Sequence, residues 1–182
     1  RKVTCVDIST TFGTIVTGDK DGTVLLWDLR TLSFLRKLGD FSASDYKSNE
    51  SVVSVSMNDK TGDILVLVGM NVTIFDINGN IIATFDDEHQ FTEKNRPTCA
   101  ISTDCQEWME NGITTITGHM NGDVILWSID TDVGKLVLRH VIGPKVHTCM
   151  VTCLKIEGQR QDQLLSGDIS GRMSHSKTIQ LE

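Results

Sequence analysis

The chain has 182 residues, 39% of them hydrophobic and 23% charged, and its net charge is −7. This balance is typical of a globular domain with a sizeable core and excludes a disordered chain. The negative charge disfavours nucleic acid and anionic membranes as direct partners, since both attract basic surfaces. The longest apolar run, Ile64–Val68, is far shorter than the ~20 residues that cross a bilayer. We therefore expect protein partners, with membranes reached only indirectly.

Four similar strand-like segments recur along the chain and predict a repeat architecture. They begin at residues 3, 52, 98 and 151, so the period is slightly longer than about 40–45 residues, the length of one blade of a common propeller repeat. The expected repeats cover about 3–51, 52–97, 98–150 and 151–182. The segments are Val3–Ile8, Val52–Met57, Thr98–Ser102 and Val151–Ile156.

Each opening segment is followed by further strand and turn signals. In three repeats a β-rich run ends in Gly-x-x-x-Gly, with Asp, Asn or Ser before the second glycine, which suits a tight turn with positive φ. Trp27 and Trp127 each follow that second glycine by five positions, in a third strand. A fourth strand is predicted at Ser33–Leu38, Ile81–Phe85 and Leu136–Val141. Four strands per repeat predict an all-β propeller built from antiparallel four-stranded sheets.

The second and fourth repeats depart from this pattern. In the second, the turn Gly69-Met70-Asn71 is short, and Phe75-Asp76 stands where the others have Trp-Asp or Trp-Ser. In the fourth, Ser176-Lys177 takes that place, so this blade is expected to be terminal or poorly matched at its end.

The run Thr14–Leu38, with its Gly-Asp-Lys-Asp-Gly-Thr-Val-Leu-Leu-Trp-Asp core, resembles WD40 repeats. That resemblance implies a structural tetrad of Trp, Ser or Thr, His and Asp in each blade. No Gly-His dipeptide precedes any opening strand, so the tetrads are expected to be incomplete. The residues that match tetrad members are Thr17, Asp21 and Trp27, then Thr117, Asn121 and Trp127, and in the fourth repeat Ser166, with Ser170 at the Asp position.

The second repeat also resembles the Trp-poor blade in the C-terminal propeller of BEACH-domain proteins of the Beige, LYST and neurobeachin group. The similarity lies in Val52–Ser56, Thr61–Ile64 and Phe75–Asn80, and the closing Ser166–Arg172 is similar to that group's last blade. It implies a fungal beige-like chain within a ring of about seven blades, the other blades and the BEACH domain lying upstream of Arg1 in the same parent chain. It also implies a cytoplasmic scaffold, peripheral to endomembranes, acting in vesicle trafficking and protein sorting.

Candidate partner-binding residues lie in the loops, where exposed aromatic side chains beside charges are typical of protein contacts. An acidic loop favours a basic partner, and its alternative interpretation is a solvated surface. Trp108, in a long insertion on the opposite face, is a second docking candidate. The candidates are Lys20, Phe41, Tyr46, Asp86, Asp87, Glu88, Phe91, Arg96 and Met120.

No catalytic, metal or cofactor motif emerges. The histidines lie outside zinc spacing, there is no CxxC, and no Ser-His-Asp order or phosphate loop has supporting context. Cys5, Cys99 and Cys153 recur at one repeat position, which indicates a small buried residue. We expect a non-enzymatic interaction scaffold without cofactors. The alternative is a WD40 adaptor of another complex, such as a ubiquitin-ligase substrate receptor.

Overall fold

The computed structural model describes residues 2–40, 50–85, 91–103, 114–142, 147–157 and 163–177, and within them it contains strands and no helix. The all-β prediction is confirmed. The strands are β1 (Val3–Ser9), β2 (Thr14–Asp19), β3 (Thr23–Asp28), β4 (Phe34–Asp40), β5 (Val52–Met57), β6 (Ile64–Val68), β7 (Asn71–Phe75), β8 (Ile81–Phe85), β9 (Pro97–Ser102), β10 (Thr115–His119), β11 (Val124–Asp130), β12 (Lys135–Ile142), β13 (Val151–Glu157), β14 (Gln163–Asp168) and β15 (Met173–Lys177).

Consecutive strands pair antiparallel and form successive blades, as predicted. We call β1–β4 blade 1, β5–β8 blade 2, β9–β12 blade 3 and β13–β15 blade 4. Blades 2 and 3 also meet at their outer strands, where β8 and β12 form one parallel bridge between Thr84 and Lys135. Blade 4 has three strands in the described residues. The repeat boundaries themselves stay predictions.

Three apolar cores lie between successive blades, because each strand points alternate side chains to its two faces. On β6, Ile64, Val66 and Val68 pack towards blade 1, whereas Leu65 and Leu67 pack towards blade 3. The strand is buried on both faces for this reason. The third core joins blades 3 and 4 through residues such as Ile116, Leu126, Val151 and Leu164.

The glycine-containing turns between second and third strands have the predicted backbone. Gly22, Gly122 and Gly171, the second glycines of the three Gly-x-x-x-Gly runs, have φ of 79°, 91° and 84°. This left-handed region is accessible to glycine without steric cost. The turns therefore reverse the chain tightly and bring the start of each third strand next to the end of the second.

Candidate functional site

One face of the propeller is formed where the turns after the second strands meet the segments before the first strands. We call it the turn face. In blades 1, 3 and 4 the same backbone hydrogen bond, 2.9 Å long, fixes this meeting. The N–H of Lys20 donates to the carbonyl of Lys2, that of Met120 to Arg96, and that of Ile169 to Met150. The turn tips and the blade entries are thereby held as one surface.

A cleft of about 380 Å³ opens on the turn face among blades 2, 3 and 4. Its volume lies near the lower end of the range for ligand sites, about 300–1,000 Å³, so it has room for one or two side chains of a partner. Val53, which is 39% exposed, is one of its apolar residues. The cleft is lined by Glu50, Ser51, Val53, Gly69, Arg96, Pro97, Thr98, Met150, Val151 and Thr152.

The cleft carries one carboxylate and one guanidinium. The Glu50 carboxylate lies directly against Gly69, where a Cβ would overlap Glu50 Oε2. Gly69 therefore provides the space that this carboxylate occupies. Arg96 forms an ion pair with Glu93 at 3.6 Å. Glu50 forms no hydrogen bond or ion pair within the part of the chain that the structure describes.

Beside the turn face, blade 3 contains a buried polar chain that begins at its tryptophan. Trp127 Nε1 donates to Thr117 Oγ1 at 2.8 Å, and Thr117 Oγ1 lies 2.8 Å from His119 Nε2. His119 Nδ1 lies 2.7 Å from the carbonyl oxygen of Asn95. Because a carbonyl only accepts, Nδ1 carries the ring hydrogen and Nε2 accepts from the Thr117 hydroxyl. Burial lowers the pKa of His119, in agreement with this neutral ring.

Blade 4 has a similar polar chain, but without a tryptophan, because Ser176 stands at that position. His147, which enters from the segment before β13, has Nε2 at 2.8 Å from Ser166 Oγ and Nδ1 at 2.9 Å from Asp168 Oδ2. The Ser170 hydroxyl, the His147 ring and the N–H groups of Arg172 and Ser170 hold the pKa of Asp168 well below its usual range. The buried carboxylate is therefore ionised and orients the histidine ring.

Blade 1 contains part of this polar chain, and blade 2 lacks it. In blade 1, Trp27 Nε1 donates to Thr17 Oγ1 at 2.9 Å. In blade 2, Phe75 stands at the tryptophan position, and the register places Val66 where the other blades have Thr or Ser. A phenylalanine has no N–H to satisfy, so the hydroxyl partner is replaced by an apolar side chain as well.

Known proteins with similar sequences belong to the group that the repeats resemble. The chain is 29% identical to Protein SPIRRIG of Arabidopsis thaliana over 94% of its own length, and 30% identical to BEACH domain-containing protein A2 of the same plant over 69%. Beige protein homolog 1 of Schizosaccharomyces pombe is 25% identical over 69%. The chain is a WD40-repeat β-propeller that resembles BEACH-domain proteins.

This WD40 chain spans only 3–5% of the length of these relatives. No protein-family model matches it. Among solved structures, the crystal structure of the computationally designed Ika4 protein aligns with a TM-score of 0.61 at 18% identity, covering 96% of this chain and 90% of that one. This likeness shows the fold alone. The fungal source stays a prediction.

The tetrad residues predicted from the WD40 resemblance are only partly brought together. Thr17 contacts Trp27, and Thr117 contacts Trp127. In blade 3 the threonine hydroxyl contacts His119, and in blade 4 the carboxylate that contacts His147 is that of Asp168. Both residues directly follow the first glycine of the turn. Asn121, at the turn tip, bonds to Asp123 instead. The predicted place of Asn121 in a tetrad is wrong. At the same turn position in blade 1, Asp21 is exposed, and its backbone N–H donates to Asp19 Oδ1.

His147 was missed by the sequence pattern because it lacks the preceding glycine, and Val146 stands there. Its spacing of four residues before Val151 is the signal that could have found it. In blade 3 the equivalent position is Glu93. There His119, on the second strand, contacts the Thr117 hydroxyl, which is equivalent to that of Ser166. Two histidines from different segments thus perform one structural role.

The predicted partner-binding residues differ in placement. Lys20 and Arg96 are exposed and Met120 is half-buried on the turn face. Phe91 is wrong as an exposed contact, because it is 6% exposed and packs against Phe85, His119 and Trp127. Phe41, Tyr46, Asp86, Asp87 and Glu88, like Trp108, lie outside the described residues.

The recurring cysteines mark the seams between blades. Cys5 and Cys99 are partly buried, with Sγ 3.9 Å from the carbonyl oxygens of Val52 and Val151 in the next blade. Burial raises the pKa of Cys99 to about 12, so its thiol stays protonated. Cys153 is exposed, so the prediction of a buried residue is wrong there. The described residues contain no blade beyond blade 4 to cover it.

The described residues contain no group of three or more His, Cys, Asp or Glu side chains that could hold a metal ion. In the same ranges, no helix has the length and apolarity needed to cross a membrane.

Proposed function

We propose that this chain is a protein-interaction propeller of a BEACH–WD40 scaffold that acts in vesicle trafficking and protein sorting. The observation that carries the proposal is the similarity to SPIRRIG across 94% of the chain. The scaffold works in the cytoplasm, peripheral to endomembranes. The net charge of −7 fits this arrangement, because the propeller then contacts other proteins and not the anionic lipid surface.

The turn face is the surface that we propose for partner binding. Its cleft gathers residues from three blades, so a ligand there contacts positions fixed by three separate sheets. The hydrogen bonds of Met120 to Arg96 and of Ile169 to Met150 hold the rim rigid. A preorganised surface loses little conformational entropy when a partner binds, which favours affinity.

Fractionation of gently lysed cells tests the scaffold role on the tagged full-length parent protein. We expect the parent to sediment with endomembranes, also when residues 1–182 are deleted, because lipid contact does not depend on this acidic segment. We expect affinity capture of the intact parent to recover trafficking proteins that the deleted form loses. A wholly soluble parent that recovers ubiquitin-ligase subunits and no trafficking proteins would instead support the adaptor alternative.

A further inference from the structure

The most informative feature of the cleft on the turn face is the half-buried Glu50 carboxylate. It is held against Gly69 and has no ion-pair or hydrogen-bond partner in the described part of the chain. The other charge in the cleft, on Arg96, already has Glu93 at 3.6 Å. A partly desolvated carboxylate attracts a cation more strongly than a fully exposed one does. The local charge therefore favours a basic ligand group.

The remaining walls of the cleft fit the stem of a basic side chain. Val53, Pro97 and Met150 supply apolar surface beside the carboxylate. Lysine and arginine bury their methylene stems on apolar surface while the charged head reaches a polar group. Methionine adapts its shape to an incoming side chain because it is unbranched and flexible.

The two threonine hydroxyl groups of the cleft already make hydrogen bonds to backbone carbonyls. The single hydrogen of the Thr98 hydroxyl faces the carbonyl oxygens of both Gly118 and Val151, and Thr152 Oγ1 donates to the carbonyl oxygen of Gly167. These groups keep the cleft walls in place and are not free to donate to an anionic ligand. The side-chain donors left for an anionic ligand are the Ser51 hydroxyl and Arg96, whose guanidinium is already paired with Glu93. The unpaired Glu50 carboxylate therefore decides the preference in favour of a cation.

We infer that the cleft binds a lysine or arginine side chain of a partner protein, with the charged head at Glu50 and the stem on Val53, Pro97 and Met150. This inference rests on the proposed function and specifies the partner's chemistry at the same face. It requires a partner segment that presents a basic residue on an extended or loop conformation, because the cleft admits only one or two side chains.

Titration of the ¹⁵N-labelled chain with the peptide Ac-Ala-Ala-Arg-Ala-Ala-NH₂ tests the inference by NMR. We expect saturable amide shifts at Ser51, Val53 and Thr98, and a Kd that weakens as salt is raised. The same peptide with citrulline, which keeps the shape of arginine without its charge, should bind about two- to fivefold more weakly, as should Glu50→Gln with the arginine peptide.

Two further variants make the test specific. Arg96→Gln should tighten binding by about twofold, because it removes a like charge from the cleft. Asp132→Asn removes a negative charge from the exposed turn between β11 and β12, at the opposite face, and should leave the Kd unchanged.

Absence of shifts at the cleft, equal binding of the citrulline peptide, or wild-type binding by Glu50→Gln overturns the inference. A failure at the cleft leaves the capture of trafficking proteins by the parent protein intact, whereas a failure of the proposed function abolishes that capture. The two failures are therefore distinguishable.

Discussion

Replacement of Trp127 by alanine is expected to lower the free energy of unfolding by about 3–5 kcal/mol. The indole is 1% exposed and lies in the core between blades 2 and 3, with ring centroids 4.9 Å from Phe85 and 5.9 Å from Phe91. Its loss opens a cavity in this core. It also leaves the buried Thr117 hydroxyl without the N–H that it accepts. Urea unfolding followed by circular dichroism measures the difference.

Trp27→Ala is the matched control, because Trp27 makes the same hydrogen bond in blade 1. The Trp27 side chain is only partly buried and lies outside the core between blades 1 and 2. Its ring centroid is 5.9 Å from that of Phe34, which is itself 55% exposed. With less apolar area to lose, we expect roughly half the cost of Trp127→Ala. Equal costs for the two substitutions would show that the core between blades 2 and 3 does not stabilise the fold as described here.

Gly122→Ala is expected to destabilise the chain by about 3 kcal/mol through two independent effects. The residue has φ of +91°, and a left-handed backbone costs a non-glycine residue about 1–2 kcal/mol. A Cβ there would also lie 2.5 Å from the carbonyl oxygen of His147 and 3.1 Å from that of Cys149. These are backbone atoms of the next blade's entry, and overpacking of this kind costs about 1–3 kcal/mol.

Gly171→Ala separates the two effects, since Gly171 holds the same turn position in blade 4. Its φ is +84°, but nothing lies within 4 Å of the position that a Cβ would take. We expect only the backbone cost of about 1–2 kcal/mol there. Thermal unfolding of both variants provides the comparison. If Gly171→Ala costs as much as Gly122→Ala, the contact between the blade 3 turn and the blade 4 entry contributes nothing.

The architecture was accessible from sequence because it depends on local patterns. Strand periodicity, the Gly-x-x-x-Gly turns and the position of Trp127 are all short-range signals, and each is found where it was predicted. The apolar replacement in blade 2 was also visible, as Phe75 in place of tryptophan. The matching change of the hydroxyl to Val66 follows from the strand register.

The partners in the polar chains were not accessible in the same way, because they are set by tertiary contacts. His119 and His147 reach equivalent hydroxyls from a second strand and from an entry segment, and no single motif covers both. Phe91 has the sequence context of a loop aromatic, yet it fills the space beside Trp127 and His119. The Glu50 carboxylate beside Gly69 arises from the short turn of blade 2, whose packing the pattern does not reveal.

The polar chains also link stability to the proposed interaction face. His119 binds the carbonyl of Asn95, the residue before Arg96, and Gly122 lies against the entry of blade 4 at His147. Both contacts fix segments that lead directly into the cleft. The cleft geometry therefore depends on buried contacts between blades, and destabilising substitutions at these positions should be separated from surface variants when binding is measured.

Site-specific photo-crosslinking tests directly whether partner proteins dock on the turn face. A photoreactive phenylalanine derivative is placed in the parent protein at position 53, in the cleft, or at position 133, an exposed site in the β11–β12 turn of the opposite face. We expect covalent adducts with trafficking proteins from position 53 and none from position 133. Adducts from position 133 alone, or equally from both positions, would contradict this expectation.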